Sequence, residues 1–414
     1  MTHQDQISST PTEQRRTVER FRFYLSGIGA GAGAMGLQVV LFPWLLVGVL
    51  EVPAEQVGLA QSAVMLPTFL FIVLGGALSD KLHLGSHLFR LFILYTIPLS
   101  MLLWANFTGN LSYSLLILFA LSYGTLTAFV QPARESLLPH VYVSTLQQSV
   151  ARSTFVQFAG QSVGVLAAGL FELVGLTTLL CCQLLLFITA GIQFRRSHPP
   201  GESLPDGRHR KDLGIVSGFL EVWHHPRLRA LMSVVGGTGF LGFGAYLVAM
   251  PLMTREVYGG GAGFFAALQF SFTFGVLFAN LLFIRWGGVL DNPGRIMVIS
   301  LFCRGLILMV IALHLPTWAL FPSVAMWGMC TGMAITLGRV LTHTEAAESH
   351  RARVISIYQL SFFGTAPIGA WLAGELISGL GVLPTFMVLG GATLISSTLG
   401  AFSQLWRSPQ RSLP

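Results

Sequence analysis

Apolar runs of about twenty residues, separated by short polar connections, dominate this chain. A bilayer-crossing helix needs about 20 such residues. On that template twelve spans are predicted, over 23–50, 57–78, 88–107, 111–132, 152–173, 175–194, 230–253, 262–284, 295–314, 316–338, 353–379 and 382–406. Pro43, Pro67, Pro98 and Pro367 fall inside spans, which bundled membrane helices tolerate because neighbours satisfy the freed backbone groups. A transmembrane β-barrel would need alternating segments about ten residues long, and these runs do not alternate. The pattern predicts an all-α membrane protein. One long connection, rich in Arg, His, Pro and Gly, splits the spans six and six. The expected organisation is a tail (1–22), a six-helix half (23–194), a central loop (195–229), a second six-helix half (230–406) and a second tail (407–414).

Composition agrees. Only 10% of the 414 residues are charged and 53% are hydrophobic, whereas a soluble domain carries about 25% charged residues. This excludes an ordinary soluble enzyme, a disordered protein and a nucleic-acid binder. The net charge of +7 sits on span-flanking segments. With the N-terminus placed in the cytoplasm, 22 of the 24 Lys and Arg fall on inside segments, Arg255 alone lies outside, and Arg304 lies within a span. The positive-inside rule then predicts a multi-pass protein of the cell inner membrane with both termini cytoplasmic. Cys181, Cys182, Cys303 and Cys330 lie in apolar runs without zinc or disulfide spacing, and read as small core residues.

The two halves repeat each other. Gly75-Gly76-Ala77-Leu78-Ser79-Asp80-Lys81 joins the second and third spans, and Gly287-Gly288-Val289-Leu290-Asp291-Asn292 joins the eighth and ninth, 211 residues on. Val163-Gly164-Val165-Leu166-Ala167-Ala168-Gly169 closes the fifth span, and Ile368-Gly369-Ala370-Trp371-Leu372-Ala373-Gly374 lies in the eleventh, offset by 205. With the six-plus-six count, these matches predict two pseudo-symmetric six-helix halves.

These motifs resemble the major facilitator superfamily over about residues 20–406. Gly76, Asp80 and Lys81 are similar to the family's loop signature, although Leu82–His87 lacks its second basic pair. Phe129-Val130-Gln131-Pro132-Ala133-Arg134-Glu135-Ser136-Leu137-Leu138-Pro139 resembles the branch holding enterobactin exporters and macrolide efflux pumps. Gly160, Gly164 and Gly169 resemble the antiporter motif of the fifth span, with Val165 in place of its usual Pro. The resemblance implies alternating access, one half rocking against the other. It also implies a conformational latch at Asp80 and Lys81, with Asp291 as counterpart and Arg134, then Arg152, as partners. First, fourth, seventh and tenth helices line the cavity in this family. That places Gln38, Tyr123, Gln131, Thr238, Tyr246, Trp327 and Thr331 as cavity candidates.

Other motifs have plainer readings. Gly31-Ala32-Gly33-Ala34-Met35-Gly36 is a literal G-x-G-x-x-G, but it lies inside an apolar span with no preceding strand. It reads, with Gly160, Gly164, Gly169, Gly369 and Gly374, as helix packing, because small residues let backbones approach closely in lipid. His343, Glu345, Glu348 and His350 lack a recognised zinc pattern and read as a solvated, charge-balanced loop. Neither a metal nor a cofactor is expected. Glu172 and Glu375 fall near the outer ends of the fifth and eleventh spans, where each is either a proton-coupling group or a carboxylate reaching water. Arg304, about 13 Å beyond Arg295 at 1.5 Å per residue, either snorkels to the headgroups or meets a buried partner or an anionic substrate.

The expectation is a monomeric secondary transporter, not an enzyme, in contact with membrane lipids. It exports an amphipathic, siderophore-like or drug-like compound against protons, since there is no P-loop to use ATP. Uptake or facilitated diffusion of a metabolite or lipid is the alternative, with a membrane-embedded enzyme or scaffold behind it. Cysteines introduced at Glu55 and Gly260 should react with an impermeant thiol reagent outside intact cells. One at Asp206 should not, and its labelling would reverse the orientation.

Overall fold

The computed structural model describes residues 11–79, 82–141, 143, 146–198, 215–285, 292–346 and 351–406. All regular elements among them are helical. In chain order they are α1 (Pro11–Trp44), α2 (Ala54–Ser79), α3 (Leu84–Leu94), α4 (Thr96–Phe107), α5 (Tyr113–Val141), α6 (Leu146–Ala168), α7 (Phe171–Ser197), α8 (Ile215–His224), α9 (Pro226–Thr238), α10 (Ala245–Leu252), α11 (Ala262–Arg285), α12 (Pro293–Ile311), α13 (Thr317–Glu345), α14 (Arg351–Leu380) and α15 (Val382–Ala401). Wider π-helical turns occupy Leu45–Val49, Gly239–Gly244 and Met253–Val257. Among the described residues, ten stretches are long and apolar enough to cross a bilayer. With α2 and α6, of 26 and 23 residues, they make the twelve crossings. Large apolar side chains such as Trp104, Phe107, Leu173, Trp318 and Phe402 stand exposed, as expected of a surface that meets lipid.

Local chemistry explains where the helices depart from the predicted spans. The third crossing breaks into α3 and α4 at Tyr95, because Pro98 has no N–H for the carbonyl four residues back. The Thr96 hydroxyl donates to the Ile93 carbonyl there (2.6 Å). Gly175 adopts φ 77°, ψ 161°, a left-handed region that only glycine enters cheaply. The central loop, which holds no apolar run long enough for a further span, contains the short helix α8. Its Val222 is buried while Phe219 and Trp223 are exposed and stacked (6.1 Å), a pattern suited to a membrane interface. Of the four cysteines, only Cys330 is a core residue; the other three are exposed.

The chain forms two compact units, residues 1–41 with 70–209, and residues 42–69 with 210–414. Segment 42–69 belongs to the second unit for visible reasons. A Cβ on Gly58 would come within 2.7 Å of the Ala370 carbonyl oxygen and 3.0 Å of the Gly374 Cα. Ser62 donates to the Pro367 carbonyl (2.7 Å), and Trp44 stacks with Phe265 (6.5 Å).

Each unit contains a backbone-on-backbone seam at corresponding positions of the repeat. In the first, a Cβ on Gly164 would land on the Gly33 carbonyl oxygen, and one on Gly36 would land on that of Gln161 and crowd the Val165 amide. Gly160 meets the Gly29 carbonyl in the same way, while Gly31 lies against the Phe92 ring. In the second, Gly369 meets the Phe240 carbonyl, and Gly244 meets the Ala366 carbonyl and the Ala370 amide. The 205-residue offset carries Gln161, Gly164 and Val165 onto Ala366, Gly369 and Ala370, so the sequence repeat is a repeat of contacts. Gly169 follows the last residue of α6, its amide bonded to the Leu166 carbonyl (3.1 Å). Gly164→Val and Gly369→Val should each cost about 1–3 kcal/mol or more. Thermal unfolding in detergent checks this, and an unchanged midpoint would show that the seam yields.

Candidate functional site

The second unit contains a narrow cleft lined by Thr238, Gly242, Phe243, Tyr246, Phe272, Trp327, Thr331 and Phe362. Four of the predicted cavity residues thus meet in one place: Thr238, Tyr246, Trp327 and Thr331. Tyr246 packs on Phe272 (4.3 Å) and edge-on to Trp327 (5.3 Å, 88°), and Phe272 is edge-on to Trp327 (5.6 Å, 84°). Such T-shaped pairs are favoured by the ring quadrupoles and hold a rigid apolar wall. The Thr238 and Thr331 hydroxyls donate to the Val234 and Trp327 carbonyls (both 2.9 Å). What they still offer to the cleft is lone pairs, so they can accept.

Position 239–244 explains the shape. The sequence Gly-Phe-Leu-Gly-Phe-Gly forms a π turn, a widened helix that recurs at functional sites. Gly239 and Gly244 let this turn sit against α14. Gly242 faces α12, where a Cβ would come within 2.6 Å of Arg304 Nη1 and 3.1 Å of its Cζ.

Arg304 does not snorkel. It is only 2% exposed, and its Nε and Nη1 are enclosed without a hydrogen-bond partner. No carboxylate among the described residues forms an ion pair with it. Arginine stays protonated under such burial, so a full positive charge persists behind Gly242. Isolated charges at membrane depth are costly and mark functional sites by default.

The first unit is arranged differently. Gln38, on α1, accepts from Gln183 Nε2 (2.8 Å), which also donates to the Ala34 carbonyl (3.1 Å). Gln183 Oε1 is left buried and unpaired. Tyr123 packs with Tyr95 (5.0 Å) and Phe119 (5.6 Å), and Gln131 is half-buried eight residues along α5. Gln183 was missed, although it is the lone amide in the apolar run 179–187.

Asp80, Lys81 and Asp291 lie outside the described residues. Their expected partner Arg134 donates from Nη2 to Gln157 Oε1 (3.1 Å), and its carbonyl accepts from the Tyr24 hydroxyl (3.3 Å). Arg152 is exposed, as are Glu172 and Glu375. Glu348 and His350 also fall outside the described residues. Glu345 pairs with Arg227 (2.9 Å) and His343 is exposed; both lie in the last turn of α13 rather than in a loop.

A second feature was not foreseen. Arg255, at the far end of the crossing that begins with α9, donates to the Val47 carbonyl and pairs with Glu51. Both contacts lie at π turns, 45–49 and 253–257. Glu51 itself has φ 51°, a left-handed conformation that is strained for a side chain with a Cβ.

Compared with known proteins, residues 24–360 match the family model described as Major Facilitator Superfamily. Curated relatives include the staphyloferrin A transporter of Staphylococcus aureus (strain NCTC 8325 / PS 47), 25% identical over 352 residues, 82% of this chain and 85% of that one. Another is the multidrug efflux pump Tap of Mycolicibacterium fortuitum, 23% identical over 411 residues, 91% of this chain and 93% of that one. A crystal structure of a mutant of the nucleoside transporter NupG matches 95% of this chain and 100% of that one at 12% identity, with a TM-score of 0.70. Likeness at that identity concerns the fold alone.

If Arg255 ties the ends of its two crossings together, Arg255→Met should speed the reaction of a cysteine placed at Gln61, which is buried (3% exposed). The measurement is labelling by an impermeant reagent on a background free of the native cysteines. Labelling no faster than in the parent would reduce the pair to a surface contact, typically about 0–1 kcal/mol.

Proposed function

The chain belongs to the Major Facilitator Superfamily, and from that premise we propose that this secondary transporter exports an amphipathic organic compound, siderophore-like or drug-like, by alternating access. The observation that carries this reading is the aromatic cleft of Tyr246, Phe272 and Trp327 with acceptors at Thr238 and Thr331. Apolar walls with a few convergent polar groups suit organic ligands, whereas a sugar or a metal ion calls for denser polar lining. The names of the relatives, a siderophore transporter and a multidrug efflux pump, support the same substrate range.

Alternating access needs contacts that break on each side in turn. On the cytoplasmic side we assign these to Asp80, Lys81, Asp291, Arg134 and Arg152. On the outer side we assign them to Arg255 with Glu51. Coupling to protons needs a group that titrates, and arginine cannot. Glu375 is the first candidate and Glu172 the second. Both are exposed in this structure, so either would have to be enclosed in another state for burial to raise its pKa toward neutrality.

Counterflow in proteoliposomes tests the reading, with a radiolabelled siderophore, a macrolide and a fluorescent dye as probes. Saturable counterflow of at least one probe is expected. Trp327→Ala should raise its KM about tenfold, the order expected for losing one buried aromatic contact. Glu375→Gln should keep counterflow and lose pH-driven accumulation. No counterflow with any probe overturns export of this substrate class, and unchanged accumulation in Glu375→Gln removes that residue from coupling.

A further inference from the structure

Arg304 gives the cleft a chemical preference that aromatic walls alone would not. It lies eleven residues into α12, near the middle of a 19-residue crossing. Its Nε and Nη1 are buried without partners. Its guanidinium lies against Gly242, and Gly242 lines the cleft beside Tyr246, Phe272 and Trp327. No acidic side chain lines the cleft. The neighbouring Ser300 hydroxyl is committed to the Ile296 and Met297 carbonyls (both 2.9 Å). Among the described residues the charge therefore lacks a carboxylate partner, and the cleft-lining residue packed against it, Gly242, carries no side chain.

The geometry points to an organic anion as the cleft's ligand. In a state of the transport cycle where the cleft, narrow here, is widened, the anion's carboxylate, or a similarly planar oxyanion, would reach Arg304 past Gly242, and its apolar body would stack on Tyr246, Phe272 and Trp327. A guanidinium presents paired N–H donors that match a carboxylate, and such charge-assisted bonds are the strong ones. An anion would also neutralise a charge whose burial is otherwise uncompensated. A neutral amide of the same shape would offer those donors one uncharged acceptor and leave the charge uncompensated. Gly242 is then a specificity position, because any Cβ there closes the approach.

This inference deepens the transport reading and rests on the cleft being its substrate site, but its test does not require transport. Binding of 2-naphthoate and of its neutral isostere 2-naphthamide is measured by calorimetry on the full-length protein in nanodiscs. The parent should bind the acid about tenfold or more tightly than the amide. Arg304→Met should bring that ratio to about one, Arg304→Lys should keep part of it, and Gly242→Ala should lower it with Arg304 intact. Should Arg304→Met fail to fold, Arg304→Lys and Gly242→Ala decide the matter. A parent that does not prefer the acid, or a preference that survives both Arg304→Met and Gly242→Ala, overturns the proposal. Counterflow failing while the acid preference holds would sink the export reading and leave this site standing.

Discussion

Close backbone contact between helices is the constraint on which the rest of this structure depends. In lipid the hydrophobic effect does not draw helices together, so association rests on packing and hydrogen bonding. Here the contact is made at glycines facing carbonyl oxygens, Gly164 on Gly33 in one unit and Gly369 on Phe240 in the other. A single Cβ at any of these positions would push two crossings apart. The same contact, used twice, makes the two units alike at this seam despite little shared sequence.

The seam also determines where chemistry can be placed. The offset of 208 that carries Gly36 onto Gly244 carries Gln38 onto Tyr246. One position in the repeat thus holds an amide in the first unit and an aromatic ring in the second. The amide is absorbed by Gln183, giving a neutral buried pair. The ring belongs to a cleft whose lining glycine, Gly242, lies against the Arg304 guanidinium. Duplication supplied a scaffold, and divergence at equivalent positions separated a packed polar pair from a charged aromatic cleft.

The π turns follow from the same logic. A turn widened by one residue costs helical hydrogen-bond geometry, and it persists where something is gained by displacing the backbone. At 239–244 the gain is a glycine turned toward Arg304. At 45–49 and 253–257 it is a pair of helix ends close enough for Arg255 to join.

Much of this was legible in the sequence, because the period and length of apolar runs report directly on a solvent that cannot hydrogen-bond to the backbone. Twelve crossings follow from that one restriction, and the glycine repeat stood beside them as an internal match. The residues Thr238, Tyr246, Trp327 and Thr331 were named instead through the family resemblance, by the helices on which they lie, and they share one cleft. The amphipathic helix α8 escaped because a ten-residue apolar pattern falls below the length of a span. What only the tertiary structure decided is which polar groups meet. Sequence spacing tells how deep Arg304 lies along its helix, but not which way its side chain runs. Its enclosure depends on a glycine 62 positions earlier, in a different crossing. Gln183 and Arg255 were passed over for the same reason: a polar residue in or beside an apolar run acquires its meaning from a partner far away in the chain, and pairing at that range is a property of the packed helices alone.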